Sequence, residues 1–136
     1  MAKLIVNTDG GARGNPGPAA AGVVVKENSE RLFTLKQYLG DKQTNNWAEY
    51  EAVALALAHL KKEGYAGREI EIRMDSMLVV EQVSGKWKIK EPTLKPQVAK
   101  VKELLMDFPQ HSFMYVPRAE NAEADALVNE ALDEHL

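Results

Sequence analysis

Apolar and polar residues alternate along the first third of the chain in the pattern of three β-strands. Residues 3–9, 20–26 and 31–39 contain the β-branched and alternating apolar positions that are typical of strands. Residues 27–30, with the sequence Glu-Asn-Ser-Glu, suit a hairpin turn between the second and third of them. Because the connections are short, we predict that these strands form an antiparallel meander.

The rest of the chain alternates between helical and extended patterns. Helices are predicted at residues 46–63, 76–83, 94–106 and 121–132, and strands at residues 68–74 and 112–116. The order βββαβααβα predicts an α/β domain with a mixed sheet, in which the meander leads into parallel strands covered by helices. The sequence contains no internal repeat and no linker, so residues 1–136 are expected to form a single domain.

Composition narrows the chemistry that this domain can perform. The chain has no cysteine, which excludes disulfides, thiolate metal sites and thiol catalysis, and its three histidines are scattered. We find no signal peptide and no apolar run of membrane length, so we expect a cytoplasmic protein without membrane association. No feature of the sequence demands a protein partner, and a monomer is expected.

Charge is distributed unevenly around a net value of −3. Residues 86–102 contain six lysines and one glutamate, whereas residues 119–136 contain six acidic residues and no lysine or arginine. Trp87 lies between Lys86 and Lys88, and an aromatic residue among lysines favours contact with nucleic-acid phosphates. The alternative is an ordinary solvated lysine face.

Four carboxylates occupy positions that packing alone does not explain. Asp9 ends the first predicted strand, Glu49 lies on the apolar face of a helix, Asp75 ends another strand, and Asp125 lies in the first turn of the last helix. Ionised groups near a core need partners, and divalent cations are the usual partner for several at once. Because ligands collect at the carboxyl ends of strands in open α/β sheets, we expect the four to converge there.

Each carboxylate also has an ordinary structural interpretation. Glu49 could form a capping box with Asn46 at the helix start, and Asp9 could initiate an Asp-Gly turn. Either Asp75 or Ser76 could be a helix N-cap, and the helix dipole favours an acid at Asp125. The metal hypothesis therefore depends on all four acting together.

Four motifs carry a resemblance to a known family. They are N-T-D-G-G-A-R-G-N-P-G-P from Asn7, T-N-N-W-A-E ending at Glu49, M-D-S around Asp75 and N-A-E-A-D ending at Asp125. In order and spacing, across essentially the whole chain, they resemble ribonuclease HI. The resemblance implies a ribonuclease H-like fold, a five-stranded mixed sheet in the order 3-2-1-4-5 flanked by helices. It also implies hydrolysis of the RNA strand of an RNA–DNA hybrid, leaving a 5′-phosphate and a 3′-hydroxyl.

The resemblance further implies a metal mechanism. Asp9, Glu49, Asp75 and Asp125 match the family's metal-binding acids, and oxygen ligands suit Mg²⁺, with Mn²⁺ as a possible substitute. The family's mechanism uses two ions, roughly 4 Å apart, on either side of the scissile phosphate. Four like charges packed together are tolerable when such cations neutralise them.

Substrate contacts are implied by the same matches. Asn15, Asn45 and Asn46 match positions that read the minor groove and 2′-hydroxyls. Gly10 and Gly11 match a place where the backbone approaches the RNA ribose closely. One threonine matches a DNA-phosphate contact, and the tryptophan matches an aromatic in the DNA-strand channel. The predicted substrate-binding residues are Gly10, Gly11, Asn15, Thr44, Asn45, Asn46, Ser76, Lys86, Trp87 and Lys88. The alternatives are that the asparagines form turns and helix caps, and that the tryptophan is a half-buried residue of the core.

The chain departs from longer family members in three places. It lacks the basic protruding helix, so weaker and more salt-sensitive hybrid binding is expected. Arg118 stands in the loop where longer relatives place a histidine, and arginine cannot be a general base. We expect Arg118 to steady the phosphate or to aid product departure, with simple solvent exposure as the alternative. Met77 replaces a polar reader of the minor groove.

Two rival functions remain open at this stage. One is another nuclease of the same superfamily, such as a transposase or integrase core, which would share the acids but lack the Gly-Asn-Pro-Gly-Pro turn. The other is a module that binds hybrids or double-stranded RNA without cutting. The presence of all four acids argues against the second.

Overall fold

A five-stranded sheet forms the centre of the molecule in a computed structural model that describes residues 2–136. Its strands are β1 (Leu4–Ala12), β2 (Gly17–Glu27), β3 (Glu30–Gln43), β4 (Ile70–Met74) and β5 (His111–Tyr115). The spatial order is β3-β2-β1-β4-β5, with antiparallel pairing among the first three strands and parallel pairing of β1 with β4 and of β4 with β5. The predicted mixed sheet and its strand order are confirmed.

Four helices cover the two faces of this sheet. They are α1 (Asn45–Lys62), α2 (Met77–Val83), α3 (Lys95–Leu105) and α4 (Ala122–Asp133), and short 3₁₀ turns lie at Pro92–Leu94 and Arg118–Asn121. The helices α1, α2 and α3 share one large core with the sheet, whereas α4 packs on the opposite face. Within residues 2–136, no helix combines the length and the apolar character needed to cross a membrane.

The two faces differ greatly in the amount of apolar packing. On the α1 face, the fully buried side chains include Leu57, Leu60 and Ile72. On the α4 face, the buried cluster consists of Ala20, Val128, Ala131 and Leu132, with Tyr38 packed against it. The small α4 cluster therefore provides less hydrophobic stabilisation than the core on the other face.

Ion pairs supplement the small cluster beneath α4. Acidic side chains of α4 and of the residue after it meet basic side chains of β2, β3 and the β1–β2 loop. These pairs are Glu123 with Lys26 at 2.6 Å and Arg31 at 3.4 Å, Glu130 and Glu134 with Lys36, and Asp133 with Arg13 at 2.8 Å. The acidic C-terminal segment is thus largely matched by bases of the same molecule. All these pairs are partly exposed to solvent, so each contributes little stability.

The strand β1 ends later than predicted, whereas the predicted hairpin turn is found where expected. The strand β1 continues past Asp9 to Ala12, because Gly10 and Gly11 pair with residues of β2. The interpretation of Asp9 as a turn initiator is therefore wrong. The predicted hairpin turn is present, since Asn28 and Ser29 have φ values of 51° and 67°, as a two-residue turn requires.

The start of α1 also differs from the capping that the sequence suggested. The Oγ1 of Thr44 accepts a hydrogen bond from the backbone N–H of Trp47 at 3.2 Å, so Thr44 is the N-cap and Asn46 lies inside the helix. The helix is followed by Gly64 at a φ of 89°, a left-handed position that favours glycine. Thr44 thereby fixes where the helix that carries Glu49 begins.

Candidate active site

Three carboxylates from three elements converge at the edge of the sheet. One oxygen each of Asp9, Glu49 and Asp75 lies within 4.8 Å of the others. The parallel pairing of β1 with β4 places Asn7 opposite Arg73, and Asp9 and Asp75 each follow these partners by two positions. Because side chains alternate along a strand, the two aspartates leave the sheet on the same side. The expected convergence of these three acids is observed.

Glu49 reaches this cluster because α1 packs directly on Gly10. A β-carbon at Gly10 would overlap the backbone of Ala48 and the nitrogen of Glu49. The backbone N–H of Gly10 donates a hydrogen bond of 2.7 Å to the Oε1 of Glu49. The capping-box interpretation of Glu49 is therefore wrong, since its carboxylate bonds to β1 instead of the helix start. Gly10 is required by the packing of α1 within the protein itself.

Asp125 completes the site from α4, which packs on the face of the sheet opposite α1. It lies outside the set of three whose oxygens approach within 4.8 Å, but it lines the same cavity of about 300 Å³. Its helix approaches the sheet at Gly22, which is the β2 partner of Asp9. A β-carbon at Gly22 would overlap the carbonyl of Ala124 and would lie 2.9 Å from the Cβ of Leu127.

Asn121 fixes the start of α4 beneath the acids. Its Nδ2 donates to the carbonyl oxygen of Thr8 at 2.8 Å, and its Oδ1 accepts from the Nδ2 of Asn7 at 3.1 Å. Neither Asn121 nor Gly22 was identified from the sequence. An isolated glycine inside an apolar strand, as at Gly22, often marks a close approach of another backbone and was the available signal.

Burial and mutual repulsion strongly perturb the acids. The pKa of Asp9 is raised from 3.8 to about 8, first by burial and then by the charges of Asp75 and Asp125. The pKa of Glu49 is also raised well above its usual range, by burial and then by the charges of Asp9 and Asp75, although the Gly10 N–H opposes this. A cluster that resists ionisation in this way is suited to cations that neutralise it. All its donors are hard oxygens, which fit Mg²⁺ and Mn²⁺.

Two arginines border the acid cavity. The Nη2 of Arg118 lies 3.6 Å from the Oδ1 of Asp125, and the Arg118 side chain is 79% exposed. On another part of the rim, Arg13 pairs with Asp133 and donates to the Oδ1 of Asn129 at 3.3 Å. Arg13 is thus engaged by α4, whereas Arg118 projects into solvent beside the site.

Gly11 differs from Gly10 in its surroundings. A β-carbon at Gly11 would meet only the Cγ1 of Val128, at the ordinary contact distance of 3.7 Å. The protein's own packing therefore does not require glycine at this position, which lies in the wall of the acid cavity. This leaves the predicted close approach of a ligand as a reason for glycine there.

Asn15 and Asn45 hold the β1–β2 loop against the start of α1. The Oδ1 of Asn15 accepts from the backbone N–H of Asn45 at 3.0 Å, and the Oδ1 of Asn45 accepts from the N–H of Ala12 at 2.7 Å. Both side chains are exposed. Because the carbonyl oxygens are engaged, each amide presents mainly its Nδ2 donors to a ligand.

The other predicted contacts lie along two further cavities. Asn15, Thr44 and Asn46 border a cavity of about 340 Å³, and Asn46 also borders one of about 560 Å³. This second cavity, hereafter the tryptophan cavity, is lined by Asn46, Leu78, Gln82, Lys86, Trp87, Lys88, Lys90, Glu91 and Leu94. Trp87 is 48% exposed and is not among the partly buried side chains that pack against the large core, so its interpretation as core packing is not supported.

Ser76 serves a structural purpose next to Asp75. Its hydroxyl accepts from the backbone N–H of Val79 at 3.3 Å and caps α2. A cavity of about 670 Å³ lies between β3, α1 and α3 and contains none of the predicted site residues.

Sequence comparison finds relatives that match nearly the whole chain. A profile of the reverse transcriptase-like family matches residues 7–131. The bifunctional protein Rv2228c of Mycobacterium tuberculosis is 43% identical over 133 residues, which cover 96% of this chain and 36% of that protein. The chain therefore spans about a third of the length of that relative.

Solved structures match over nearly the whole chain. LC11-RNase H1, isolated from compost by a metagenomic approach and solved in complex with an RNA/DNA hybrid, superposes with a TM-score of 0.93 at 47% identity, covering 98% of this chain and 99% of that chain. RNase H1 from Halobacterium salinarum superposes with a TM-score of 0.91 at 40% identity, covering 97% and 98% of the two chains.

Proposed function

Because this chain belongs to the ribonuclease H family, we propose that it is an endonuclease that hydrolyses the RNA strand of RNA–DNA hybrids. The products would carry 5′-phosphate and 3′-hydroxyl ends. The main support is the convergence of Asp9, Glu49 and Asp75 within 4.8 Å, with Asp125 in the same cavity. Such a cluster has the ligand chemistry of a divalent-metal site for phosphodiester hydrolysis.

The four carboxylates are proposed as the ligands of two Mg²⁺ ions, for which Mn²⁺ can substitute. When bound, the ions would activate water, neutralise the phosphate and stabilise the leaving oxygen. The protein's part is to hold the ligands in place. The Gly10 N–H orients Glu49, the paired strands fix Asp9 and Asp75, and the approach of α4 at Gly22 brings in Asp125.

Selectivity is proposed to come from contacts to both strands. The Nδ2 groups of Asn15 and Asn45 can donate to minor-groove acceptors and ribose oxygens, and Gly11 leaves room for the ribose. Gly10 and Ser76 are assigned to contacts beside the acids, Thr44 to a DNA-phosphate contact, and Asn46 to a contact from the cavity that it shares with Thr44. Lys86, Trp87 and Lys88 are assigned to the DNA strand, because an exposed aromatic among lysines suits a phosphate and sugar track.

Arg118 is proposed to contact the scissile phosphate or the departing product. Its guanidinium lies 3.6 Å from Asp125 and is free to reach a ligand. Arg118→Ala is expected to lower turnover about tenfold, as for loss of one charged hydrogen bond. Arg118→Lys, which keeps the charge, should recover part of it. Full turnover by Arg118→Ala would remove this role.

The decisive experiment incubates the protein and Mg²⁺ or Mn²⁺ with labelled hybrid, DNA duplex and RNA duplex. Cleavage confined to the RNA strand of the hybrid supports the proposal, and Asp9→Asn is the inactive control. Binding of the hybrid without cleavage would instead support a non-cutting module. Cleavage of DNA would indicate another nuclease of the superfamily.

We further propose that residues 1–136 act as one catalytic domain and that the chain works as a monomer in the cytoplasm. The continuous sheet and the absence of a linker in the sequence support one domain. Light scattering on the purified protein tests the monomer, and fractionation of cells tests the location.

A further inference from the structure

A buried glutamine joins helix α1 to the loop that carries Trp87. Gln82 lies on α2 and is only 4% exposed. Its Oε1 accepts from the Tyr50 hydroxyl at 2.7 Å, and its Nε2 donates to the carbonyl oxygen of Lys88 at 3.3 Å. Because a carbonyl oxygen can only accept, the contact with Lys88 fixes which way the amide points.

Tyr50 is suited to hold the other end of this amide. It is fully buried, and its hydroxyl donates to the Oε1 of Gln82. Tyr50 adjoins Glu49 in the sequence. One helix therefore places a carboxylate in the acid cavity and, one residue later, holds the amide that reaches the Trp87 loop.

The loop itself has few other hydrogen-bonded anchors among the described residues, although Ile89 packs against the large core. The backbone N–H groups of Lys86 and Trp87 both donate to the carbonyl oxygen of Glu81, at 2.9 and 3.1 Å. These bonds fix where the loop leaves α2, whereas Gln82 fixes the position of Lys88 after Trp87. Gln82 also lines the tryptophan cavity.

We propose that Gln82 is a positioning residue that sets the distance between the Trp87 loop and the acid cluster, and thereby the preference for a hybrid over other duplexes. This inference rests on the proposed function. Duplexes of different strand composition differ in groove width, so a protein that contacts both strands can select among them by the spacing of its contacts. The path from Glu49 through Tyr50 and Gln82 to Lys88 connects these two sets of contacts by one peptide bond and two buried or part-buried hydrogen bonds.

The test uses the double variant Tyr50→Phe/Gln82→Met, which removes both buried polar side chains so that neither is left unpaired. For cleavage of a hybrid in Mg²⁺, KM is expected to rise about five- to tenfold, the effect of roughly one hydrogen bond. The kcat should stay within about twofold, because the acids are unchanged. In EDTA, the ratio of the Kd for a DNA duplex to the Kd for the hybrid should fall by a similar factor.

Gln97→Met is the matched control. Gln97 is also a buried glutamine, 5% exposed, and its Nε2 donates to the carbonyl oxygen of Trp47 on the same helix α1, at 3.2 Å. This variant loses a comparable bond without disturbing the Trp87 loop, so KM and the Kd ratio should not change. If the double variant does not fold, Gln82→Asn shortens the amide and gives the same test.

Several results would overturn the inference. An unchanged KM and Kd ratio would do so, as would an equal KM increase in Gln97→Met or a kcat loss as large as the KM increase. If the wild type binds the hybrid no better than a DNA duplex, the proposed function fails and the inference falls with it. If the wild type discriminates and the variants discriminate equally, only the role of Gln82 is lost.

Discussion

The two faces of the sheet supply the acids in unequal ways. Asp9, Glu49 and Asp75 are held by strand pairing and by α1, which belongs to the large core. Asp125 comes from α4, which rests on a small cluster around Val128 and on exposed ion pairs. The three acids that approach one another within 4.8 Å are those held by strand pairing and by α1. We therefore expect the geometry at Asp125 to be the first to fail when the protein is perturbed.

Removing the central acid should have the largest effect on activity. Asp9 belongs to the close set of three and adjoins Asp125 as well, so Asp9→Asn removes the ligand that links the two faces. Hydrolysis of the hybrid in Mg²⁺ is expected to fall on the order of 10³-fold or more. Glu103→Gln, an acid remote from the site, is the control and should retain activity. Substantial cleavage by Asp9→Asn would contradict the metal assignment.

The stability of the metal-free protein should depend on pH through the same acid. Because the pKa of Asp9 is raised from 3.8 to about 8 in the fold, the folded state binds more protons than the unfolded state between these values. The contribution of Asp9 to the free energy of unfolding is therefore largest at low pH. It decreases as the pH rises from 3.8 to about 8. The decrease is several kcal/mol at most, at about 1.4 kcal/mol per pKa unit.

Denaturant titrations in EDTA at pH 5 and pH 8 measure this change. Mg²⁺ should restore most of the loss at pH 8, since the cation replaces the proton as the neutralising charge. Asp9→Asn should reduce the pH dependence in EDTA. A metal-free protein with equal stability at both pH values would refute the repulsion inferred among these carboxylates.

Two glycine substitutions compare the faces directly. Gly10→Ala drives a methyl group into the backbone of α1, and Gly22→Ala drives one into α4. We expect Gly10→Ala to lower the free energy of unfolding by about 2–3 kcal/mol, because α1 is locked into the large core. Gly22→Ala should lower it by only about 1 kcal/mol, because α4 can shift, yet the displaced Asp125 should lower kcat about 10²-fold.

Gly11→Ala is the control for these two variants, since a methyl group fits there. It should leave stability unchanged and affect hybrid binding alone. Thermal unfolding and steady-state kinetics on the three proteins give the comparison. If Gly22→Ala destabilised the protein as strongly as Gly10→Ala, the two faces would not differ in the way inferred.

The sequence alone predicted the element order and the convergence of Asp9, Glu49 and Asp75. Periodicity locates most strands and helices, and the acids stand out because carboxylates on an apolar face demand a partner. The extent of β1 was not predictable, because Gly10 and Gly11 have turn composition and only pairing with β2 keeps them extended. Thr44, Asn45 and Asn46 are all good N-caps; Thr44 caps the helix, whereas Asn45 is engaged by tertiary contacts with the β1–β2 loop.

The orientation of the asparagine amides was equally beyond the sequence. Asn15 and Asn45 hydrogen-bond to backbone groups that are distant along the chain, and these partners exist only once the loop and α1 meet. The role of Gly22 was in principle detectable as a glycine within a strand. Its partner on α4 was not, because local patterns do not reveal which helix packs on which face.

The ion pairs beneath α4 should have the smallest effect. Lys26 pairs with Glu123 at 2.6 Å, and both side chains are partly exposed, at 32% and 48%. Lys26→Met is expected to change the free energy of unfolding by no more than about 0.5 kcal/mol. The kcat should stay the same, because the close approach at Gly22 and the cluster around Val128 position Asp125. Val128→Ala is the matched change in that cluster and should lower kcat. If Lys26→Met lowered kcat more than Val128→Ala does, charge and not packing would hold this helix.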